Sequence, residues 1–124
     1  LEFRRVLFRS TVNGRELSDR TLRSLTEVFR SLADRSRLMI LFLLAERGEM
    51  NVSAIGEALN QSQPAVSHHL TQLRSAGFID FRRDGKFNYY RLDHNGFSEL
   101  IATLFPDGTT PRLTFGALEV CFRG

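Results

Sequence analysis

The chain has 124 residues, 42% of them hydrophobic and 25% charged, which is the size and composition of one globular domain. This length nearly excludes a two-domain enzyme. The longest apolar run, residues 38–45, is far short of the roughly 18 residues that a membrane span needs. Cys121 is the single cysteine and cannot form an intrachain disulfide. Because no secretory signal opens the chain either, we expect a cytoplasmic protein without a membrane partner.

The net charge of +3 is unevenly distributed along the chain. Residues 61–92 contain five basic and two acidic side chains, whereas residues 93–124 contain two basic and four acidic ones. Sixteen of the seventeen basic residues are Arg, which favours bidentate contact with phosphate or guanine, although genome coding bias would give the same excess. The charge pattern indicates that residues 61–92 meet an anionic partner.

The two ends of the chain lack the periodicity of its middle. Residues 1–14 are predicted to be a disordered or vector-derived tail, and residues 106–124 a flexible or vector-derived one. The final ALEVCFRG resembles a picornaviral 3C protease site of the LEVLFQG type. Residues 15–105 are therefore predicted to form the folded domain.

Hydrophobic spacing predicts two helices in the first half of this domain. Ser18 is a candidate N-cap for an amphipathic first helix. Asp34 or Ser36 begins a second helix over about residues 37–47, in which the apolar run 38–45 is expected at the domain centre.

The next two predicted helices are joined by three residues, which is typical of a helix-turn-helix. The third helix covers about residues 53–59, and its inward residues are expected to be Ala54, Ile55, Ala58 and Leu59. The fourth helix begins after Ser62 and runs to Ala76. Its inner side is apolar, with Val66, Leu70 and Leu73, and its outer side is polar but uncharged.

Two β-rich runs, residues 78–83 and 86–92, flank Asp84-Gly85, a dipeptide typical of a two-residue type I′ hairpin. Such a turn pairs basic residues at the hairpin tip; the expected pairs are Arg83 with Lys86, Phe81 with Asn88, and Ile79 with Tyr90. A last helix over about residues 95–105 has an apolar stripe.

This order of elements predicts a winged helix-turn-helix, a mainly α domain with a β-hairpin (α+β): four helices, a two-stranded wing and a C-terminal helix. On double-stranded DNA the fourth helix would enter the major groove, and the wing would contact phosphates or the minor groove. The predicted DNA-binding residues are Ser62, Gln63, Ser67, His68, Thr71, Gln72, Arg82, Arg83 and Lys86.

Three segments resemble the ArsR-type family of small bacterial winged-helix repressors: SLADRSRLMILFLL, SQPAVSHHLTQLRSAGFI and RRDGKFNYYRL. The resemblance covers about residues 17–105. It implies a homodimer that binds an inverted-repeat operator and blocks transcription until an inducer lowers its affinity for DNA.

Burial also predicts a homodimer, because the first and last helices each carry an apolar stripe that so small a domain cannot cover from within. Two copies would place their recognition helices about 34 Å apart, which predicts a pseudo-palindromic site. The predicted interface residues are Leu22, Leu25, Phe29, Phe97, Leu100, Ile101 and Leu104.

This chain lacks the ligand residues of the sensing sites that the resemblance implies. Residues 51–53 are Asn-Val-Ser where arsenic and cadmium sensors have Cys-x-Cys, and Asp93 and Asn95 stand where zinc and nickel sensors have Asp-x-His. Cys121 has no second cysteine for redox sensing. We therefore predict no metal site and no cofactor and leave the inducer unknown, with an intersubunit site using His94 still open.

Two other classes of function are weighed against DNA binding. An enzyme is not predicted, because the sequence lacks a nucleophile elbow, a phosphate-binding glycine loop and a zinc-hydrolase histidine pair. The alternative is a winged-helix protein–protein interaction module without sequence-specific DNA binding. Such a module would expose aromatic or aliphatic anchors on the fourth helix, where this chain has polar residues.

Overall fold

The structure is a computed structural model and describes residues 11–12, 15–16, 18–104, 112–115 and 118–121. The elements in chain order are β1 (Thr11–Val12), β2 (Arg15–Glu16), α1 (Asp19–Leu32), α2 (Arg35–Arg47), β3 (Met50–Asn51), α3 (Val52–Leu59), α4 (Gln63–Ser75), β4 (Ile79–Asp84), β5 (Phe87–Leu92), α5 (His94–Leu104), β6 (Arg112–Phe115) and β7 (Leu118–Cys121). Strand β1 pairs with β2, and β6 with β7, both antiparallel. Parts of the two predicted tails and the end of the last predicted helix lie outside the described residues, namely residues 1–10, 13–14, 105–111, 116–117 and 122–124.

Side-chain caps define where the first four helices begin. Ser18, Asp34, Asn51 and Ser62 each accept a hydrogen bond from the backbone N–H three residues later, at 2.8 to 3.4 Å. Each bond satisfies an N–H that has no partner within its helix. The predicted caps Ser18 and Ser62 are confirmed, and of the two candidates for the start of α2 it is Asp34, not Ser36, that caps the helix.

The core lies between α2, α3, α4 and the sheet. The buried hydrophobic side chains of the described residues are Ile40, Leu41, Leu44, Met50, Ile55, Val66, Leu70, Leu73, Phe78 and Ile79. Helices α1 and α5 contribute no fully buried residue. The helix-turn-helix unit therefore has its own core, and the other two helices pack on its outside.

Helix α2 is less enclosed than its sequence predicts. Leu38 and Met39 are 41% exposed and Phe42 is 52% exposed, so the expectation that the whole apolar run is central was wrong. The reason is that α3, α4 and β5 cover one side of α2 and leave the other side open. Ala58 is also exposed, contrary to expectation, because the buried residues of α3 are Ile55 and Gly56.

The hairpin has a different register from the predicted one. Asp84 pairs with Phe87, and Phe81 pairs with Tyr90 rather than with Asn88, so the two-residue turn is Gly85-Lys86. Gly85 has a φ of +61° and Lys86 has a negative φ, which fits a type II′ turn with glycine at its first central position. The faces of the strands are unchanged, because the register moves by two residues along β5.

The wing belongs to a sheet of three strands. Strand β3 pairs with β5, which gives the antiparallel order β3-β5-β4 and ties the start of α3 to the base of the wing. The predicted wing had only the two strands β4 and β5.

Helix α5 rests on the segment that follows α4. The Asp93 backbone N–H donates to the Phe78 carbonyl at 2.9 Å, and the rings of Phe78 and Phe97 lie 4.7 Å apart. Gly96 lies so close to Gly77 that a Cβ on Gly96 would overlap the Gly77 carbonyl. Between α1 and α5 there remains a groove of about 450 Å³. No helix in the described part of the chain is long and apolar enough to cross a membrane.

Candidate nucleic-acid interface

Helix α4 separates an apolar inner face from a polar outer one. Val66, Leu70 and Leu73 are at most 1% exposed and fix the helix on the core. The other side carries hydroxyl, amide and imidazole groups that can hydrogen-bond to base edges in a major groove. All six α4-region residues predicted to bind DNA are exposed: Ser62, Gln63, Ser67, His68, Thr71 and Gln72.

Some of these polar groups already have partners within the chain. Gln63 Nε2 donates to Ser53 Oγ at 2.8 Å and so bridges the two helices of the helix-turn-helix. Thr71 Oγ1 donates to the Ser67 carbonyl at 2.9 Å. Within the described residues His68 and Gln72 make no side-chain hydrogen bond, so these two groups lie on the outer face with their hydrogen-bonding capacity unused.

The turn between α3 and α4 is held by backbone geometry and by one amide. Asn60 ends α3 in the left-handed conformation, with a φ of 54°. Gln61 Nε2 donates to Ser36 Oγ of α2 at 2.7 Å. Gly56 has no side chain, which allows the Gln61 carbonyl to lie 3.0 Å from where a Cβ would stand, closer than an ordinary van der Waals contact. These contacts fix the angle at which α4 projects.

His69 of α4 contacts residues at the start of α2. Its Nδ1 lies 3.5 Å from Arg37 Nη1 and 3.9 Å from Asp34 Oδ1. The backbone N–H of Arg37 donates to the Asp34 carboxylate and lowers the pKa of that group, and the charges of Arg37 and His69 lower it further. His69 is therefore a partly buried residue that connects the two helices, whereas His68 is exposed.

The three predicted wing cations, Arg82, Arg83 and Lys86, are all exposed but differ in their partners. Arg82 Nε donates to Glu49 Oε2 at 2.8 Å, and its Nη1 lies 3.5 Å from Asp84 Oδ2. Arg83 and Lys86 form no ion pair with a described carboxylate. The unpaired positive charge of the wing is thus at its tip.

Arg74 links α4 to the wing. Its guanidinium lies 4.3 Å from the centre of the Phe81 ring, and its Nε lies 3.9 Å from Asp80 Oδ1. Sequence reasoning missed both Arg74 and Glu49. Arg74 ends an otherwise uncharged helix face, which was a usable signal, whereas nothing in the sequence places Glu49 next to Arg82.

In the described part of the chain, no three His, Cys, Asp or Glu side chains come together to form a metal-binding cluster. Asn51 uses its Oδ1 to accept the Ala54 N–H at 2.8 Å and caps α3.

Comparison with known proteins identifies related regulators. Residues 34–80 match the family described as bacterial regulatory protein, arsR family. The chain is 43% identical over 75 residues to an uncharacterized HTH-type transcriptional regulator of Methanocaldococcus jannaschii, a match that covers 60% of this chain and 84% of that protein. It is 47% identical over 66 residues to the arsenical resistance operon repressor of Escherichia coli, covering 53% of this chain and 56% of the repressor.

A solved structure agrees with the fold. The homodimeric winged helix-turn-helix DNA-binding domain of a possible ArsR-family transcriptional regulator from Mycobacterium bovis matches with a TM-score of 0.59 and 35% identity, over 73% of this chain and 85% of that one. The predicted fold class, a winged helix-turn-helix, is confirmed. The matched region spans little more than half the length of the arsenic-resistance relatives.

Proposed function

The chain belongs to the arsR family of bacterial regulatory proteins, and we propose that it is a homodimeric repressor that binds an inverted-repeat operator. Members of this family regulate transcription and are not enzymes, and the winged helix-turn-helix is their DNA-binding fold. We also propose which surface binds DNA, which helices form the dimer and that the inducer differs from arsenic.

One observation supports DNA binding: the exposed, uncharged face of α4 lies beside a wing whose tip cations have no ion-pair partner among the described residues. His68 and Gln72 offer hydrogen-bonding groups for base edges, whereas Arg83 and Lys86 offer charge for phosphates. The full proposed contact set is the one that the sequence predicts, namely Ser62, Gln63, Ser67, His68, Thr71, Gln72, Arg82, Arg83 and Lys86. The exposed outer face of α4 has no aromatic or aliphatic anchor of the kind that a protein-docking surface would need.

The dimer is proposed to form through α1 and α5. Neither helix buries a residue fully, and Phe29 and Leu104 are 47% and 39% exposed. The M. bovis relative is homodimeric, and residues 15–105 are proposed to contain both the DNA-binding and the dimerisation surfaces. The proposed interface residues are Leu22, Leu25, Phe29, Phe97, Leu100, Ile101 and Leu104.

The proposed repressor does not use the cysteine site of the arsenic sensors. The relatives from Escherichia coli and Pseudomonas putida are named for arsenic resistance, yet this chain has Asn51 and Ser53 at the matching positions. The inducer is therefore proposed to differ from theirs in chemistry.

The test begins with selection of an operator from random duplex DNA by the purified protein. We expect an enriched inverted repeat. His68→Ala should weaken operator binding by roughly 1–3 kcal/mol and binding to random duplex much less, because the lost contact is to a base. Fluorescence anisotropy with the two duplexes measures this difference.

Arg83→Ala supplies the complementary variant. We expect it to weaken binding to both duplexes alike and to reduce the slope of log affinity against log salt by about 1, because the lost contact is to phosphate. Arg23→Ala removes an exposed arginine from α1 and is the matched control. Failure to enrich any sequence, or an unchanged ratio of operator to random affinity in His68→Ala, would contradict the proposed reading surface.

A further inference from the structure

The carboxylate of Glu49 lies between two arginines of the sheet. Its Oε2 is 2.8 Å from Arg82 Nε on β4, and its Oε1 is 3.7 Å from Arg91 Nη1 on β5. Glu49 itself stands between Gly48, which ends α2, and β3. One carboxylate of the body is thus shared between two cations of the wing.

Arg82 is held from more than one direction. Asp84 lies 3.5 Å away on the same strand, and the guanidinium lies 4.9 Å from the centre of the Tyr89 ring, directly across the ladder. The hydrogen bond to Glu49 raises the pKa of Arg82 above its ordinary value. The Arg82 side chain is 45% exposed, so a phosphate could approach it and compete with Glu49 and Asp84.

We propose that Glu49 is a specificity-determining residue of the wing, which holds Arg82 and Arg91 in ion pairs that a phosphate must displace. This inference rests on the proposed DNA binding. Binding to random sequence is driven mainly by cation–phosphate contacts, so two masked arginines lower it directly. In the operator complex the base contacts fix the position of the backbone, and a phosphate held close to Arg82 can exchange with Glu49.

The same geometry defines the rival role for Glu49, which is simply to orient the wing. If Glu49 only positioned Arg82 for DNA, its loss would weaken binding to every sequence. If Glu49 masks Arg82 and Arg91, its loss strengthens binding to random sequence. The two roles therefore predict changes of opposite sign.

Glu49→Gln is the test variant, and Glu46→Gln is its control, because Glu46 is an exposed acid on α2 without an ion-pair partner in the described chain. Both variants raise the net charge by one. The probes are a random-sequence duplex of about 30 base pairs and the operator selected by the wild-type protein. Affinities are measured across a salt series, with thermal unfolding as the check on folding.

For Glu49→Gln we expect random-duplex affinity to rise roughly three- to tenfold at about 0.1 M salt, and the salt slope to steepen by about 1 to 2, one for each released arginine. Operator affinity should rise less, so the specificity ratio falls. Adding Arg82→Ala to Glu49→Gln should remove about half of the change in slope. In the wild-type background Arg82→Ala should leave the random-duplex slope nearly unchanged.

A Glu49→Gln protein with the same random-duplex slope as Glu46→Gln, or with weaker binding to both duplexes, would overturn the masking role. A wild-type protein that does not prefer its selected sequence would instead contradict the proposed function. The two failures are distinguishable, because the masking test is read on random DNA.

Discussion

The central helices and sheet of this molecule differ from the two flanking helices, α1 and α5, in how far their side chains are buried. Helices α2, α3 and α4, the sheet and Phe78, which precedes β4, supply every buried hydrophobic side chain of the described chain, whereas α1 and α5 supply none. Both flanking helices nevertheless carry apolar stripes and leave a groove of about 450 Å³ between them. The central unit is complete within one chain, and the flanking helices have the apolar surface that a second copy would cover.

The largest effect is expected for Leu104→Glu in α5, which tests whether the flanking helices form a dimer interface. If two copies pair through the flanking helices, the variant loses the burial of two leucines and gains two charges at the interface, and dimerisation should weaken by roughly 3–6 kcal/mol. Sedimentation equilibrium measures the change, and operator binding should be lost with the dimer. Leu38→Glu is the matched control, since Leu38 is similarly exposed but lies on α2. A Leu104→Glu protein that remains dimeric refutes the proposed interface.

The central unit should respond to loss of burial within one chain. Leu73 of α4 is 0% exposed, so Leu73→Ala should lower the free energy of unfolding by about 2–5 kcal/mol through lost burial and a cavity. Leu38→Ala removes the same atoms from a 41% exposed position and should cost less than about 1 kcal/mol. Urea unfolding measures both. Equal losses would mean that the exposed side of α2 is covered in the native assembly.

A substitution at Gly96 tests how closely α5 packs against the segment that follows α4. In most helices Gly→Ala stabilises by about 1 kcal/mol, but here the new Cβ would overlap the Gly77 carbonyl. We expect Gly96→Ala to destabilise the protein by about 1–3 kcal/mol as α5 moves away. Ser98→Ala, on the exposed side of the same helix, is the control. A gain in thermal stability would show that α5 is not held at this contact.

The smallest expected effect concerns acid stability at the start of α2. The pKa of Asp34 is lowered in the folded protein, so its stabilising contribution is present above the ordinary value of 3.8 and is lost as the pH falls through the folded-state pKa. Asn caps helices as well as Asp does, so Asp34→Asn should change stability at pH 7 by less than about 1 kcal/mol. Below pH 4 the variant should lose less stability than the wild type. Parallel acid unfolding curves for the two proteins would contradict this.

Local signals in the sequence predict most of the helical framework. Ser18, Asp34 and Ser62 cap their helices because each can accept a backbone N–H in its first turn, and that interaction needs only neighbouring residues. The outward position of His68 likewise follows from helical periodicity. These features depend on short stretches of chain, which is why the sequence alone could predict them.

The features that were missed depend on contacts between distant segments. Asp84-Gly85 and Gly85-Lys86 both fit a two-residue turn with glycine in the left-handed region, and both keep the same residues on each face, so periodicity could not choose between them. The pairing of Glu49 with Arg82 joins residues 33 positions apart. The exposed side of α2 depends on which other elements pack against the helix. Because all eight residues of the run 38–45 are apolar, their pattern does not indicate which side is exposed.

Phe78 makes the orientation of the DNA-reading helix depend on the C-terminal one. It lies three residues after the end of α4; its carbonyl accepts the N–H of Asp93, and its ring contacts Phe97. A shift of α5, whether imposed by a second copy or by a small molecule between the helices, must therefore displace the trailing end of α4 or break these two contacts. In this domain the surface that would govern assembly is connected to the surface that would read base pairs through the short segment Gly77-Phe78, against which α5 packs.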